Sequence, residues 1–215
     1  MIVIKVRRGL ILPELRVAPA YTVGGGTSQA ITTQVGTLTD DLTLIFAFST
    51  TPSVGDEAVP GALMTTLDTD TGARKGRAAY RIFDGTTNLT TWTNTTAWGI
   101  MTFKAGTYND SSIFSNGGAG YFNVSTPDNN VLYPALTAPP HVKCLKIDVA
   151  FSNQTVGFGQ ISGSTDMWNR SNTTWNSRAQ YRNQTTAWSN TNVTHTIGSS
   201  TETLQFSAYL RGYGG

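Results

Sequence analysis

The stretch Leu42-Thr-Leu-Ile-Phe-Ala-Phe-Ser49 decides the fold class of this 215-residue chain. Every second residue from Leu42 to Phe48 is apolar. This period of two is typical of a β-strand that buries one face. The same alternation recurs from Leu145 to Phe151 and from Leu204 to Leu210. The pattern therefore predicts a half-buried strand at each of these places.

The composition also favours an all-β chain. Charged residues make up 13% of the sequence, about half the share that is usual in globular domains. Long surface helices are normally rich in Glu and Lys, but this chain contains three Glu and five Lys. A helical bundle does not fit these numbers.

Two parts of the sequence resemble each other. Leu42–Ser49 matches Leu145–Ser152, and Arg77-Ala-Ala-Tyr-Arg81 matches Arg178-Ala-Gln-Tyr-Arg182. The two offsets are 103 and 101 residues, and their similarity argues against coincidence. We interpret the matches as a pseudo-repeat.

Each half contains about four strand-like runs, and a four-stranded half alone leaves an apolar face uncovered. We therefore predict an all-β fold, a jelly-roll-like antiparallel β-sandwich built from two similar halves that share one core. The halves span about 36–110 and 140–215, and together they form a body at 36–215.

Residues 1–35 are predicted to form an extended N-terminal arm and a Gly-rich hinge. Pro13 and Pro19 interrupt the segment, and Val23-Gly-Gly-Gly-Thr-Ser28 has the composition of a flexible linker. The arm is too apolar to remain in water, so it needs a surface on its own body or on another chain. We expect it to dock on a partner through Ile2, Ile4, Val6, Arg7, Arg8, Leu10, Leu12 and Leu15.

No catalytic or metal-binding pattern stands out. Few Asp or Glu residues could form the pair of carboxylates that general acid–base catalysis of glycoside cleavage needs. The spacing between His141 and His195 is not one that is typical of metal ligands. Asp68-Thr-Asp-Thr-Gly72 begins like a calcium loop, but Arg74 and Lys75 follow it, so we interpret it as a turn. We expect no enzymatic activity, no cofactor and no metal.

Charge and hydropathy limit the partners. The net charge is +2 and the basic residues are scattered, so we expect no nucleic-acid partner. There is no apolar run of 18 residues, so we expect no membrane partner. Charges at Lys5, Arg7 and Arg8 argue against a signal peptide, and the lone Cys144 is expected to be a buried thiol.

Five tryptophans leave a binding role open. Tryptophan can stack on sugar rings or fill the space between two sheets. Trp168 and Trp175 flank an Asn-rich segment, so glycan contact by these two residues is the alternative to a core role.

The order of the strand-like segments resembles the jelly-roll structural proteins of tailed bacteriophages. Asp40–Thr50 is followed by a Pro/Gly loop, Arg77–Phe83 and Gly99–Gly106, and the order recurs in weaker form from Leu145 to Gly212. The resemblance covers about residues 36–215. It rests on the order of the strands and on the small residues that separate them.

The resemblance implies a non-enzymatic virion protein that is synthesised in the host cytoplasm. Its partners would be other virion proteins, either major capsid or tail subunits. It would form a homo-oligomer, for which a trimer is one option. We interpret the chain first as a capsid decoration (cement) protein. The alternative is a tail-tip or tail-fibre protein that binds a host receptor or glycan.

Overall fold

A computed structural model describes residues 11–23, 28–49, 55–56, 65–70, 75–86, 88–110, 112–114, 121–133, 143–152, 154, 157–170, 176–184 and 193–213. These residues contain no helix. Their strands are β1 (Ala20–Val23), β2 (Ser28–Thr32), β3 (Leu42–Ser49), β4 (Gly55–Asp56), β5 (Thr65–Asp70), β6 (Lys75–Ile82), β7 (Asn88–Thr93), β8 (Ala97–Phe103), β9 (Tyr121–Tyr133), β10 (Cys144–Ser152), β11 (Thr165–Arg170), β12 (Asn176–Gln184) and β13 (Val193–Arg211).

Two five-stranded antiparallel sheets form the body. The first sheet has the order β1-β8-β3-β6-β5, and the second has the order β9-β13-β10-β12-β11. Each sheet comes from one continuous part of the chain, and the matching segments β3 and β10 are the two central strands. Asp68 and Asp70 lie in β5, so the turn predicted at these two residues is wrong.

The two sheets share one core. The alternating apolar residues of β3, β10 and the C-terminal half of β13 all belong to a single buried cluster. Phe48 of β3 stacks on Phe151 of β10, with ring centroids 4.3 Å apart and planes 6° apart. The predicted β-sandwich with one shared core is confirmed, whereas the jelly-roll connectivity and the repeat relationship of the halves stay predictions.

The outer faces of both central strands are also buried, so the prediction of half-buried strands is wrong. A cover sheet, with the order β2-β7-β4, lies over the first sheet, where Ile31 and Trp92 belong to the same cluster as Ile45. On the second sheet, Phe158 and Ile197 pack in one cluster with Ala150. The alternation identifies the core face but does not reveal these additional layers.

Residues 11–23 and 28–35 belong to the body, which corrects the predicted boundary at residue 35. β1 extends the first sheet beside β8, and β2 pairs with β7 in the cover sheet. The physical reason is that the edge of β8 has unpaired backbone groups, which an extended segment of the same chain can satisfy. Residues 1–10 and 24–27 lie outside the described residues.

Candidate docking site at one end of the sandwich

Both central strands begin at the same end of the sandwich. Leu42, the first residue of β3, pairs with Phe103, the last residue of β8. Leu145, near the start of β10, lines the same cleft as Phe103. Several connecting segments meet at this end, which we call the terminal face. It comprises residues 11–16, 34–41, 82–84, 104–110, 112–114 and 211–213.

The segment 11–16 crosses the terminal face from the second sheet to the first. The Ile11 N–H donates to the Tyr213 carbonyl oxygen at 3.1 Å, and the Arg16 N–H donates to the Thr102 carbonyl oxygen at 2.8 Å. Between these points, Leu15 packs against the shared core. Backbone pairing at both ends therefore fixes the segment on its own chain.

A buried ion pair holds the segment in place. Arg16 donates to the Asp41 carboxylate from Nε at 2.8 Å and from Nη2 at 3.0 Å. The backbone N–H groups of Leu38 and Ala105 donate to the same carboxylate at 2.8 and 2.9 Å. Burial would raise the pKa of Asp41, but these hydrogen bonds outweigh it and hold that pKa below its ordinary value. Asp41 thus joins three segments of the terminal face.

Two clefts open beside the crossing segments. The first has a volume of about 340 Å³ and is lined by Leu12, Pro13, Glu14, Leu15, Phe103, Leu145, Tyr181 and Asn183. The second has a volume of about 250 Å³ and is lined by Asp40, Ile82, Ala105, Gly106, Tyr108, Asp110 and Tyr213. In the first cleft Glu14 is already paired with Lys104.

The second cleft carries two exposed carboxylates on a fixed backbone. Asp40 has a positive φ of 67°, which is uncommon outside glycine. Its N–H donates to the Phe83 carbonyl oxygen at 2.9 Å, and the Tyr108 hydroxyl donates to the Asp40 carbonyl oxygen at 2.6 Å. Burial, followed by the charges of Asp110 and Asp40, raises the pKa of Tyr108 to about 12, so its hydroxyl stays a donor at neutral pH.

Exposed apolar side chains concentrate at the terminal face. Among the described residues, five large apolar side chains are exposed, and four of them lie here. These four are Ile11 at 38%, Val35 at 98%, Leu38 at 56% and Ile82 at 38%. The fifth, Val23, pairs with Ala97 at the opposite end of β8. This asymmetry marks one end of the molecule as a candidate interaction surface.

The turn that presents Val35 is well braced. The Thr37 N–H donates to the Gln34 carbonyl oxygen at 3.2 Å, and Gln34 Nε2 donates to the Ala18 carbonyl oxygen at 2.8 Å. Gly36 has a φ of 92°, a region that favours glycine. The Val35 side chain is therefore held in solvent by an ordered backbone.

The predicted arm residues are only partly within the described residues. Leu15 packs against the core of its own chain, so the prediction that it docks on a partner is wrong. Leu12 lines the open first cleft, and its docking on a partner stays a prediction. The other six arm residues lie outside the described residues: Ile2, Ile4, Val6, Arg7, Arg8 and Leu10.

Trp168 is a core residue, so its predicted glycan contact is wrong. The side chain is 6% exposed, and its indole N–H donates to Ser177 Oγ at 2.9 Å. Its ring stacks on Tyr21, with centroids 5.9 Å apart. A β-bulge after Asp166 shifts the register of β11, which turns Trp168 inward. Trp175 lies outside the described residues.

Sequence reasoning missed the exposed residues of the terminal face. Val35 lies beside Gly36 in a segment without strand periodicity. An apolar residue in such a turn was the one sequence feature that could have indicated an exposed apolar side chain. Nothing in the local sequence links Asp40 to Asp110. They line one cleft only because the fold brings the 104–110 segment and the end of β13 next to Asp40.

The described residues offer little support for other site chemistry. Within them, no three His, Cys, Asp or Glu side chains form a group that could hold a metal ion. Cys144 is buried as predicted, and burial raises the pKa of its thiol to about 11. Lys146 and Asp148 form a buried ion pair at 2.8 Å, but neither residue lines one of the two clefts.

The described residues also contain no helix that is long and apolar enough to cross a membrane. Comparisons of the chain with protein-family models, with curated proteins and with solved structures found no match in any of the three.

Proposed function

We propose that this chain is a non-enzymatic structural protein of a tailed-bacteriophage virion, in which it acts as a capsid decoration (cement) protein. The observation that carries the proposal is the concentration of exposed apolar side chains at the terminal face. The arm residues 1–10 join the body at this same face, next to Ile11. Arm and terminal face would together form the docking surface for a shell subunit.

The physical role would be mechanical. Apolar surface removed from water contributes roughly 25 cal/mol per Å², before the cost of ordering the arm is subtracted. A single copy would bind the shell modestly. Copies linked in a homo-oligomer would bind more tightly, because each later contact forms within an already attached assembly.

Deletion of residues 1–10 tests the proposal. The cut belongs at Ile11, because residues 11–23 are part of the body and a longer deletion would expose the edge of β8. We expect the truncated protein to stay folded, with an unfolding midpoint close to that of the full chain, but to lose co-sedimentation with undecorated capsids. Undiminished binding of the truncated protein would refute docking through the arm.

A matched pair of substitutions tests the terminal face. Leu38→Asp and Val23→Asp each place a charge at an exposed apolar position, but at opposite ends of the molecule. We expect only Leu38→Asp to weaken binding to capsids. Equal effects of the two variants would show that the terminal face has no special role. Immunogold labelling of intact particles distinguishes heads from tails, and label confined to tails would favour the tail-protein alternative.

A further inference from the structure

We infer that the second cleft of the terminal face binds the basic part of the same chain's own arm, with Arg7 and Arg8 paired to Asp40 and Asp110. This inference goes beyond the proposed function, because it concerns the free protein before any shell is present. The occupant is a named segment, residues 5–10, which precedes the first described residue. The argument rests on charge, reach and the apolar rim of the cleft.

Charge complementarity selects the second cleft. Among the described residues, Asp40 and Asp110 have no basic side chain as an ion-pair partner. In the first cleft Glu14 is already neutralised by Lys104. The arm carries Lys5, Arg7 and Arg8 within four residues and has no acidic residue before Glu14. A guanidinium group can bind a carboxylate with two parallel hydrogen bonds.

The arm can reach the second cleft. The Ile11 N–H is bonded to the carbonyl oxygen of Tyr213, and Tyr213 also lines the cleft. Arg8 lies three residues before Ile11, which corresponds to about 10 Å of extended backbone. A segment tethered so closely has an effective concentration of roughly millimolar. The arm of the same chain therefore has an advantage over the arm of a second copy.

The rim of the cleft suits the apolar residues that alternate with the basic ones. Ile82 lines the cleft and is 38% exposed, and Leu38, which is 56% exposed, precedes Asp40 by two residues. Val6 and Leu10 flank the arginine pair in sequence. Docking would cover apolar side chains on both partners, which would otherwise favour aggregation of the free protein.

Limited trypsin digestion gives the first test, because Lys5, Arg7 and Arg8 are themselves cleavage sites. We expect the double variant Asp40→Asn/Asp110→Asn to be cut in the arm about 2- to 30-fold faster than the wild type, a range that corresponds to two exposed ion pairs. High salt should accelerate cleavage of the wild type and remove the difference. The matched control Glu14→Gln, in the first cleft, should be cut at the wild-type rate. Equal rates for all three proteins would overturn the inference.

Engineered cysteines give the second test and identify which arm occupies the cleft. Cys144 does not interfere, because it is buried. The double variant Val6→Cys/Ile82→Cys keeps all four charged groups and should form a disulfide within one chain, seen as a monomer of altered mobility on a non-reducing gel. A mixture of the two single variants should give no cross-linked dimer, and abundant dimer would overturn the assignment to the same chain. Neither readout involves capsids, so failure here is distinct from failure of the proposed function.

Discussion

The carboxylate of Asp41 joins the crossing segment 11–16 to two other segments of the terminal face, and Asp41→Asn tests this connection. The wild-type carboxylate accepts four hydrogen bonds, two from Arg16 and one each from the Leu38 and Ala105 backbone N–H groups. An amide has only one oxygen to accept them and places two N–H donors opposite existing donors. Removing one partner of a buried pair costs about 3–5 kcal/mol. Because Arg16 remains 25% exposed, we expect a loss near the lower end, about 3 kcal/mol.

Urea unfolding at pH 7 measures this loss, and a series of pH values tests its origin. The pKa of Asp41 in the folded protein lies below its ordinary value of 3.8. Its contribution to stability is therefore complete above about pH 4 and is lost as the pH falls towards the folded-state pKa. The variant should lack this part of the acid-induced loss. As a control, Glu14→Gln changes an exposed carboxylate at the same end, whose partner Lys104 is also solvent-accessible, and should leave stability nearly unchanged. A loss under about 1 kcal/mol for Asp41→Asn, with an unaltered acid response, would refute the reasoning.

Three further predictions concern the sandwich. Gly99→Ala should destabilise the fold by about 1–3 kcal/mol in urea unfolding, because the added Cβ would lie 2.3 Å from the Trp168 ring. The control Gly157→Ala, where nothing lies within 4 Å of the added Cβ, should have little effect on stability. Equal losses of stability in the two variants would contradict the packing of Trp168 against Gly99. Phe151→Ala should cost about 3–5 kcal/mol by calorimetry or urea unfolding, since it removes a fully buried ring, and a loss below about 1 kcal/mol would count against the shared core. Cys144 should react with a thiol reagent only on unfolding, because it is buried and its pKa is raised to about 11; rapid labelling of the native protein would contradict its burial.

The sequence predicts the core face of the sandwich well because one physical requirement determines it. In a strand, every second side chain points to the same face. The alternation in β3 and β10 therefore identifies the residues that meet in the shared core. The outer faces could not be predicted in this way. Ile45 and Ala47 gave a weak signal, since buried strands can be apolar on both faces, but Lys146 and Asp148 of β10 read as solvent-facing and are buried.

The candidate site was harder to predict than the core, because its residues come together only through topology. The apolar content of the arm predicted that it needs an apolar surface to pack against. Leu15 packs on such a surface within its own chain. The glycan interpretation of Trp168 rested on its Asn-rich neighbours, and nothing in the local sequence indicates the β-bulge that precedes this residue in β11. The carboxylates of Asp40 and Asp110 are 70 residues apart in sequence, and only the strand ends place them in one cleft.

The position of the docking end follows from the direction of the two central strands. Because β3 and β10 begin at the same end, the strands paired with them finish there, and the chain must cross between the sheets at this point. One crossing segment borders each cleft, residues 12–15 in the first and residues 105–110 in the second. The clefts also have corresponding walls, since Asn183 of β12 lines the first and Ile82 of β6 lines the second. The two clefts differ in charge, because the described residues provide no basic partner for Asp40 and Asp110 in the second cleft, whereas Lys104 pairs with Glu14 in the first. This difference is why we propose the second cleft, and not the first, as the binding site of the basic arm segment.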